Sequence, residues 1–375
     1  MSGLPADLDR SIRQKFSVVQ FFALPEDEAE YQIEYHEDTK SKFEELFREI
    51  SPLGYRPELS GTKDECVLIL RRIQAAEHRR SRIPVLLALF TLVSVVVFAL
   101  EQEIVDEQFL PSFPGSFVII GYSISVTAIM IIHELAQRFS ARKKSGGRAT
   151  SYLLPGIPQI TSFLPSMGFA ASQREPALNR DSLYDTVIAG PLAILILALV
   201  LFAVGDLTRI PSTITLQAVR AHLTNSTLTI TSINPNPLQI ALDAALTPWL
   251  PSVAPGYVSI SPLMDGATVG FLLAFIGMLP IMSYDGGFLA TAAWGLRAGR
   301  AANYISVAAL FLLDTPNYWG LGLVAFFLAG RPFQLKVHDE VTPLSSSRRW
   351  ITVGIIALAF LCLPIPQNLA TFQLP

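Results

Sequence analysis

Charge and cysteine are scarce in this chain. Of its 375 residues only 16% are Asp, Glu, Lys or Arg, while 51% are hydrophobic. One water-soluble core has no room for so much apolar surface, so the composition excludes an ordinary soluble protein and directs most of that surface toward lipid. The formal net charge is −3 and no basic stripe is interleaved with aromatics, which sets nucleic acid aside as a partner. There are two cysteines, Cys66 and Cys362, in different compositional regions. Neither has a second Cys or His at ligand spacing, so neither a disulfide nor a cysteine-based zinc site is expected. Met1 to Ser11 lacks the apolar stretch of a signal peptide, so the first membrane helix is expected to stay as an anchor.

What the chain does have is long apolar runs. They lie at about 83–100, 117–133, 186–204, 267–282 with flanking residues, and 350–366, each near the roughly 20 residues needed to cross a bilayer. Two shorter runs, 303–313 and 318–330, are split by Asp314-Thr-Pro316-Asn and suit a helical hairpin or one interrupted pass. The expected architecture is an all-α polytopic membrane protein of about 6–7 transmembrane helices over residues 79–366. It is preceded by a small soluble α+β domain over 1–78. In that domain Tyr31, Ile33 and Tyr35 alternate with polar residues as in a half-buried strand, and Phe43, Leu46, Phe47 and Ile50 follow helical spacing. A second strand at Cys66–Leu70 closes a β-α-β pattern.

Lys and Arg bias sets orientation. Arg71, Arg72, Arg79, Arg80 and Arg82 precede the first run, the loop Glu101 to Pro114 has no basic residue, and Arg142, Lys143, Lys144 and Arg148 follow the second run. The N-terminus is therefore expected in the cytoplasm, and the 206–262 loop, with only Arg209 and Arg220, outside. A strand-like text at 212–232 and a short helix at Pro237–Leu246 belong to that loop. The segment 152–176 is apolar but broken by Pro155, Gly156, Pro158, Pro165 and Gly168. It cannot span, and irregular backbone at membrane depth survives only under protein or against a watery cavity, so a re-entrant loop or β-hairpin is expected there.

Inside the second run stands Ile132-His133-Glu134-Leu135-Ala136-Gln137, an H-E-x-x-H text with Gln in the last place. On a helix, positions i and i+4 share a face about 6 Å apart along the axis, so two such ligands can hold one Zn²⁺ with the intervening Glu as base. A carboxylate, Asp285, follows a later apolar run and is released by Gly286-Gly287. The charge pattern puts His133 and Asp285 at the same depth on the cytoplasmic side. A catalytic zinc needs such a third ligand and keeps a fourth position open.

With these two motifs, and with Asp185-Thr-Val-Ile-Ala189-Gly190-Pro191 opening the third run, the chain resembles the site-2 protease family of intramembrane zinc metalloproteases. It is closest to the branch of chloroplasts, cyanobacteria and archaea, which carries a soluble N-domain and a stretch like Ser259-Ile260-Ser261-Pro262-Leu263. The resemblance implies Zn²⁺ held by His133, Asp285 and the residue at 137. It implies Glu134 as the catalytic base, drawing a proton from the zinc-bound water and passing it to the leaving amine. It also implies a transmembrane protein segment as substrate, held as an added strand against the 159–175 region, with Gln159, Ile160, Thr161, Ser162 and Phe163 as its binding residues.

Gln137 departs from the pattern, because a neutral amide oxygen is a weaker donor than imidazole. Three readings stay open: a tolerated weak ligand, a pseudoprotease that binds membrane helices without cutting them, or an inactivating change. The other histidines are expected elsewhere. His338 is read as a surface residue, His222 as outside, and His36 and His78 as parts of the soluble domain and its linker. Asp265-Gly266 imitates the second motif but falls at the outer end of the fourth run, where a turn or cap is expected.

Overall fold

The structure is a computed structural model that describes residues 5–25, 28–73, 82–109, 115–144, 147, 149–157, 161, 164–173, 175–215, 235–250, 257–313, 319–330 and 335–365. The chain is mostly helical, with a small sheet near its start. Helix α1 (Ala6–Lys15) leads to strands β1 (Val18–Ala23) and β2 (Ala29–Ile33), helix α2 (Thr39–Ile50) and strands β3 (Tyr55–Gly61) and β4 (Cys66–Arg72). The strands form one antiparallel sheet in the order β1-β2-β4-β3, with Tyr31 opposite Leu68 and Leu68 opposite Leu59. Burial alternates along β2, β3 and β4, so one face of the sheet is apolar. Onto that face pack Leu8, Ile12 and Phe16 at the spacing of one helix side, and Phe43, Leu46 and Ile50 from α2. The β-α-β expectation is corrected here. β4 runs antiparallel to β2, because β3 intervenes and returns the chain by a hairpin instead of a crossover.

Helices α3 (Ile83–Phe109), α4 (Gly115–Lys144) and α5 (Arg180–Leu207) carry stretches long and apolar enough to cross a membrane. Between α4 and α5, strands β5 (Ala149–Pro155) and β6 (Ser166–Gln173) pair as an antiparallel hairpin, the form expected for the broken apolar segment. Its turn is closed by Thr161, whose hydroxyl accepts from the Ile157 amide at 3.0 Å and donates to the Leu164 carbonyl at 2.7 Å. After α5, strand β7 (Ile210–Thr215) pairs with β8 (Tyr257–Ile260), and α6 (Pro237–Leu246) lies between them in sequence, as its expected boundaries had it. The rest of the 212–232 text lies outside the described residues.

Helix α7 (Pro262–Met278) is short, apolar all round and buried nearly throughout, so it forms the axis of the helical body. Small residues let its neighbours close in. A Cβ on Gly270 would lie 2.7 Å from Ile129 on α4 and 2.9 Å from Ala198 on α5, and one on Gly266 would meet Ser125 at 2.4 Å. Asp265, beside that glycine, stands in the first turn of α7. Helices α8 (Asp285–Leu313, broken by a kink at Gly295, where φ is 82° and ψ 170°), α9 (Trp319–Ala329) and α10 (Ser346–Leu361) complete the body. Gly322 of α9 sits against the Phe311 ring, so α9 packs on the end of α8, while residues 314–318 between them lie outside the described residues.

His338 is not a surface residue. It is 3% exposed, its ring lies 5.1 Å from that of Phe47, and its backbone is held on two sides. Its amide donates to the Ala177 carbonyl at 2.8 Å, and its carbonyl accepts from Leu59 at 2.6 Å. The short segment Val337–Glu340 thus lies between β3 of the N-terminal sheet and residues 177–178, joined to each by a single parallel bridge, Asp339 to Leu59 and Val337 to Ala177, a pairing that no local pattern announces. Leu178 and Val341 also pack into the N-terminal core.

Candidate active site

Asp285 does not cap the fourth apolar helix but opens the next one. Helix α7 stops at Met278 because Leu279 precedes Pro280 and takes an extended conformation, as the residue before proline tends to. The turn that follows forces Ser283 to a left-handed φ of 72°, and α8 begins at Asp285. The glycine pair after it has a steric reason. A Cβ on Gly286 would lie 2.1 Å from the Leu279 carbonyl oxygen, and one on Gly287 would lie 2.3 Å from that of Ile281. The turn therefore folds back onto the first turn of α8, where a carboxylate also faces the positive end of the helix.

Three side chains meet at this point, His133 and Gln137 from one turn of α4 and Asp285 from the start of α8. His133 Nε2 lies 2.8 Å from Asp285 Oδ2, and Gln137 Nε2 donates to Asp285 Oδ1 at 2.9 Å. The Gln137 and His133 nitrogens are 3.4 Å apart. His133 and Asp285 are each 1% exposed and Gln137 is 5% exposed. The imidazole stacks on Phe169 of β6, with ring centroids 3.7 Å apart and planes 13° apart. Its Nδ1 is buried and has no hydrogen-bond partner among the described residues. Gln137 Oε1 accepts from the Ser151 hydroxyl of β5 at 3.2 Å.

Helix α5 supplies the wall behind this cluster. A Cβ on Gly190 would stand 2.4 Å from His133 Nε2 and 3.0 Å from Gln137 Nε2, so only glycine leaves room for both. Pro191 adds a second device. Lacking an N–H, it leaves the carbonyl four residues back, that of Val187, without its helical partner, and Gln137 Nε2 lies 3.5 Å from that oxygen. The Ala-Gly-Pro text thus has a local explanation in close approach and a freed acceptor.

The β-hairpin is fastened to the same turn. The Ala171 amide donates to the Ser283 carbonyl at 2.7 Å, and the Tyr284 hydroxyl donates to the Met167 carbonyl at 2.7 Å. The Met282 amide in turn donates to Asn303 Oδ1 at 2.7 Å, a buried contact from farther along α8. Sequence reasoning did not single out Ser151, Phe169 or Asn303. Each acts through a contact between elements far apart in the chain, and none belongs to a spaced motif.

Glu134 is placed differently. Its carboxylate is 28% exposed and accepts from Arg138 Nε at 2.7 Å, one turn along α4, and not from the buried trio. Thr161 is 2% exposed and bonded within its own turn. Gln159, Ile160, Ser162 and Phe163 lie outside the described residues.

The residues present fit a divalent cation in part. Tetrahedral zinc ligands about 2.0–2.1 Å from the ion stand roughly 3.3 Å apart, whereas His133 Nε2 and Asp285 Oδ2 are in direct hydrogen-bond contact at 2.8 Å, so the two would have to part by about 0.5 Å to share an ion. Imidazole nitrogen and carboxylate oxygen are suitable donors as they stand, and buried charged or polar groups at membrane depth serve function more often than packing. Gln137 presents its amide nitrogen, which cannot ligate, while its oxygen faces Ser151. No cluster of three or more His, Cys, Asp or Glu that could hold a metal occurs among the described residues.

No family model matches the chain, and no solved structure does. Curated proteins do. The chain is 28% identical over 254 residues to the rice (Oryza sativa subsp. indica) protein named probable zinc metalloprotease EGY2, chloroplastic, covering 65% of this chain and 43% of that protein. It is 26% identical over 294 residues to the Arabidopsis thaliana protein of the same name, covering 75% and 48%. It is also 26% identical over 280 residues to the Arabidopsis thaliana probable zinc metalloprotease EGY1, chloroplastic, covering 71% and 46%. The chain is a homologue of these proteins. It spans less than half the length of each.

Proposed function

We propose that this chain is an intramembrane zinc metalloprotease of the site-2 type, cutting a transmembrane segment of another membrane protein near the cytoplasmic side, with a metal site weakened at residue 137. The observation that carries the reading is the pairing of His133 with Asp285, 152 residues apart in sequence and 2.8 Å apart in space, at the end of an apolar helix and out of contact with water. The names of the curated relatives, which are called probable zinc metalloproteases, support it.

In this reading His133, Asp285 and Gln137 hold Zn²⁺. The ion supplies Lewis acidity that makes a water nucleophilic at neutral pH. Glu134, which here accepts from Arg138 Nε, would be the general base that takes a proton from the attacking water and gives it to the leaving amine. Phe169 fixes the plane of the imidazole, and Gly190 sets how deep it sits. The chain is multi-pass, with about 6–7 spans and a cytoplasmic N-terminus, and the 1–78 and 79–366 segments act as domains. The β5–β6 hairpin takes the unwound substrate as an added strand. At Ala171 the amide of β6 is already bound to Ser283, so the added strand pairs elsewhere along the hairpin.

A second reading has its own observation. Gln137 gives Asp285 a second hydrogen-bond partner through its amide nitrogen, so the buried carboxylate is satisfied by protein groups alone. That is the arrangement of a catalytically silent relative that binds membrane helices. Zinc content of the purified chain and cleavage of a model transmembrane substrate separate the two. Gln137→His should raise both zinc occupancy and cutting, and Glu134→Ala should abolish cutting while leaving zinc bound. No zinc and no cutting in Gln137→His refutes the enzymatic reading, and a cellular phenotype of Glu134→Ala refutes the silent one.

A further inference from the structure

We propose that the outer edge of β1 is an interface for a second copy of this chain, two β1 strands pairing antiparallel so that the two N-terminal sheets join into one. The proposal is independent of the metal site.

The two edges of the N-terminal sheet differ. At β3 the edge is engaged, since the Leu59 amide donates to the His338 carbonyl at 2.6 Å and the Glu340 amide donates to the Leu59 carbonyl at 2.9 Å. At β1, the other end of the sheet, no described residue pairs with the outward side of the strand. The Leu24 amide donates to the Glu28 carbonyl at 2.9 Å, so in the alternation of an antiparallel ladder the Phe22 backbone also turns toward β2. The N–H and C=O of Phe21 and Ala23 therefore face outward. The register shift of this strand lies between Val18 and Gln20 and leaves Gln20–Ala23 regular.

Open edges are ordinarily guarded by Lys, by Pro or by an inward charge. β1 reads Val-Val-Gln-Phe-Phe-Ala, with no charge and no proline, and Val19 through Ala23 are all exposed. Val19, Phe21 and Phe22 are 56%, 41% and 51% exposed, whereas the aromatic residues of the other strands, Tyr31 and Tyr55, are buried. Such an edge fits an added strand, whose backbone supplies the hydrogen bonds and whose side chains cover the rings.

Charge and closure make that strand a second β1. The chain before it is basic at Arg13 and Lys15, in the last turn of α1, and the chain after it is acidic at Glu28 and Glu30. In an antiparallel pair centred on Phe21, the basic end of each copy comes to the acidic end of the other. A parallel pair would set like charges together, and the negative surface of a bilayer would repel the acidic end. Arg13 and Lys15 are held at present by surface pairs with Asp9, Glu45 and Glu49, and charge of this kind gives direction more than affinity. The same two-fold axis sets the two Phe21 rings side by side as a cross-strand aromatic pair. Because β3 is already engaged, joining at β1 uses the remaining edge of each described sheet, and the assembly stops at two copies.

The test uses the full chain in detergent, with mass from light scattering and a single cysteine as proximity probe. The native chain should have twice its own mass. Phe21→Cys should form a disulfide-linked dimer on oxidation, since directly opposed residues of an antiparallel pair lie about 5.5 Å apart at Cα, within disulfide reach. Leu53→Cys, exposed beside β3 at the far side of the sheet, should not, and Cys66 and Cys362 are buried. Ala23→Pro removes only an outward N–H, so β1 keeps its pairing with β2 and the variant should melt close to the native chain. It should weaken dimerisation about tenfold or more, because the axis deletes the bond twice, and it should abolish the Phe21→Cys link. Phe21→Lys, which sets two ammonium groups across the axis, should also give single mass. A native chain of single mass overturns the proposal. If Phe21→Cys is then shielded from a water-soluble thiol reagent in vesicles but not in detergent, β1 lies against the bilayer instead. A dimer that survives both substitutions, or that links through Leu53→Cys and not through Phe21→Cys, has another interface and overturns the proposal as well.

Discussion

Gly190→Ala offers the sharpest probe of the buried trio. The added methyl would stand 2.4 Å from His133 Nε2, 2.5 Å from its Cδ2 and 3.0 Å from Gln137 Nε2. Comfortable heavy-atom contact begins near 3.5 Å, so the imidazole must withdraw by about 1 Å. It has little room to do so, since its other face lies on Phe169 with ring centroids 3.7 Å apart. Overpacking of a tight interior costs about 1–3 kcal/mol. A shift of about 1 Å in a ligand or catalytic group costs about 100-fold in rate. The companion substitution is Gly205→Ala on the same helix, where the new methyl would meet Met264 and Ser261 at 2.8 Å, far from the trio in sequence and in contact with none of it. Both variants should melt earlier than the native chain. Only Gly190→Ala should lower zinc affinity, by about 10–100-fold in a chelator competition. If Gly190→Ala binds zinc as the native chain does, or if Gly205→Ala loses as much, the close approach of α5 to His133 is not what shapes the site.

Asn303→Ala should destabilise the turn before Asp285, because the buried Met282 amide loses its acceptor and an unsatisfied donor costs about 1–3 kcal/mol. A melting temperature equal to that of the native chain would show that the turn holds itself. Acid should loosen the contact between the N-terminal sheet and residues 337–340. Burial, and then Arg56, hold the His338 imidazole down at about 4, below its ordinary 6.5. The unfolded chain therefore takes up a proton that the folded chain refuses, so stability is full above about pH 6.5 and falls as pH drops toward about 4. Burial of Asp339 raises its carboxyl and works in the opposite direction, so His338→Phe is the variant that isolates the effect. The drop in melting temperature between about pH 7 and about pH 5 should shrink in it, and an undiminished drop would move the acid sensitivity elsewhere.

Much of the frame could be read from periodicity. Long apolar runs point to α3, α4 and α5, the short helix expected at Pro237–Leu246 is α6, and the alternation of Tyr31 and Ile33 points to β2. Helix α1 is legible too, with Leu8, Ile12 and Phe16 four residues apart and Asp7 and Asp9 ahead of Arg13 and Lys15. Strand β3 is harder to see, since Tyr55-Arg-Pro-Glu-Leu-Ser-Gly carries Pro, Glu and Gly and owes its pairing to β4. The same limit governs the site. His133 and Asp285 could be matched because each sits in a short motif next to an apolar run. Gly190 is marked by its Ala-Gly-Pro text, whereas Ser151, Phe169 and Asn303 matter through distances between elements that sequence spacing does not encode. His338 went astray for that reason, as its burial comes from strands to either side that lie far away in the chain.

The pairing of Leu59 with His338 and Glu340 also bears on how the chain is made. β3 is an outer strand of its sheet, and its last neighbour is encoded roughly 280 residues downstream. At translation rates of about 5–20 residues per second, that neighbour emerges about 15–60 s after β3. During that interval the nascent N-terminal sheet carries an open hydrogen-bonding rim, the feature through which strands of different molecules aggregate. Ribosome-bound intermediates stalled before residue 338 should therefore be the sticky ones, and completion of the N-terminal sheet's outer edge waits on nearly the whole of the helical body.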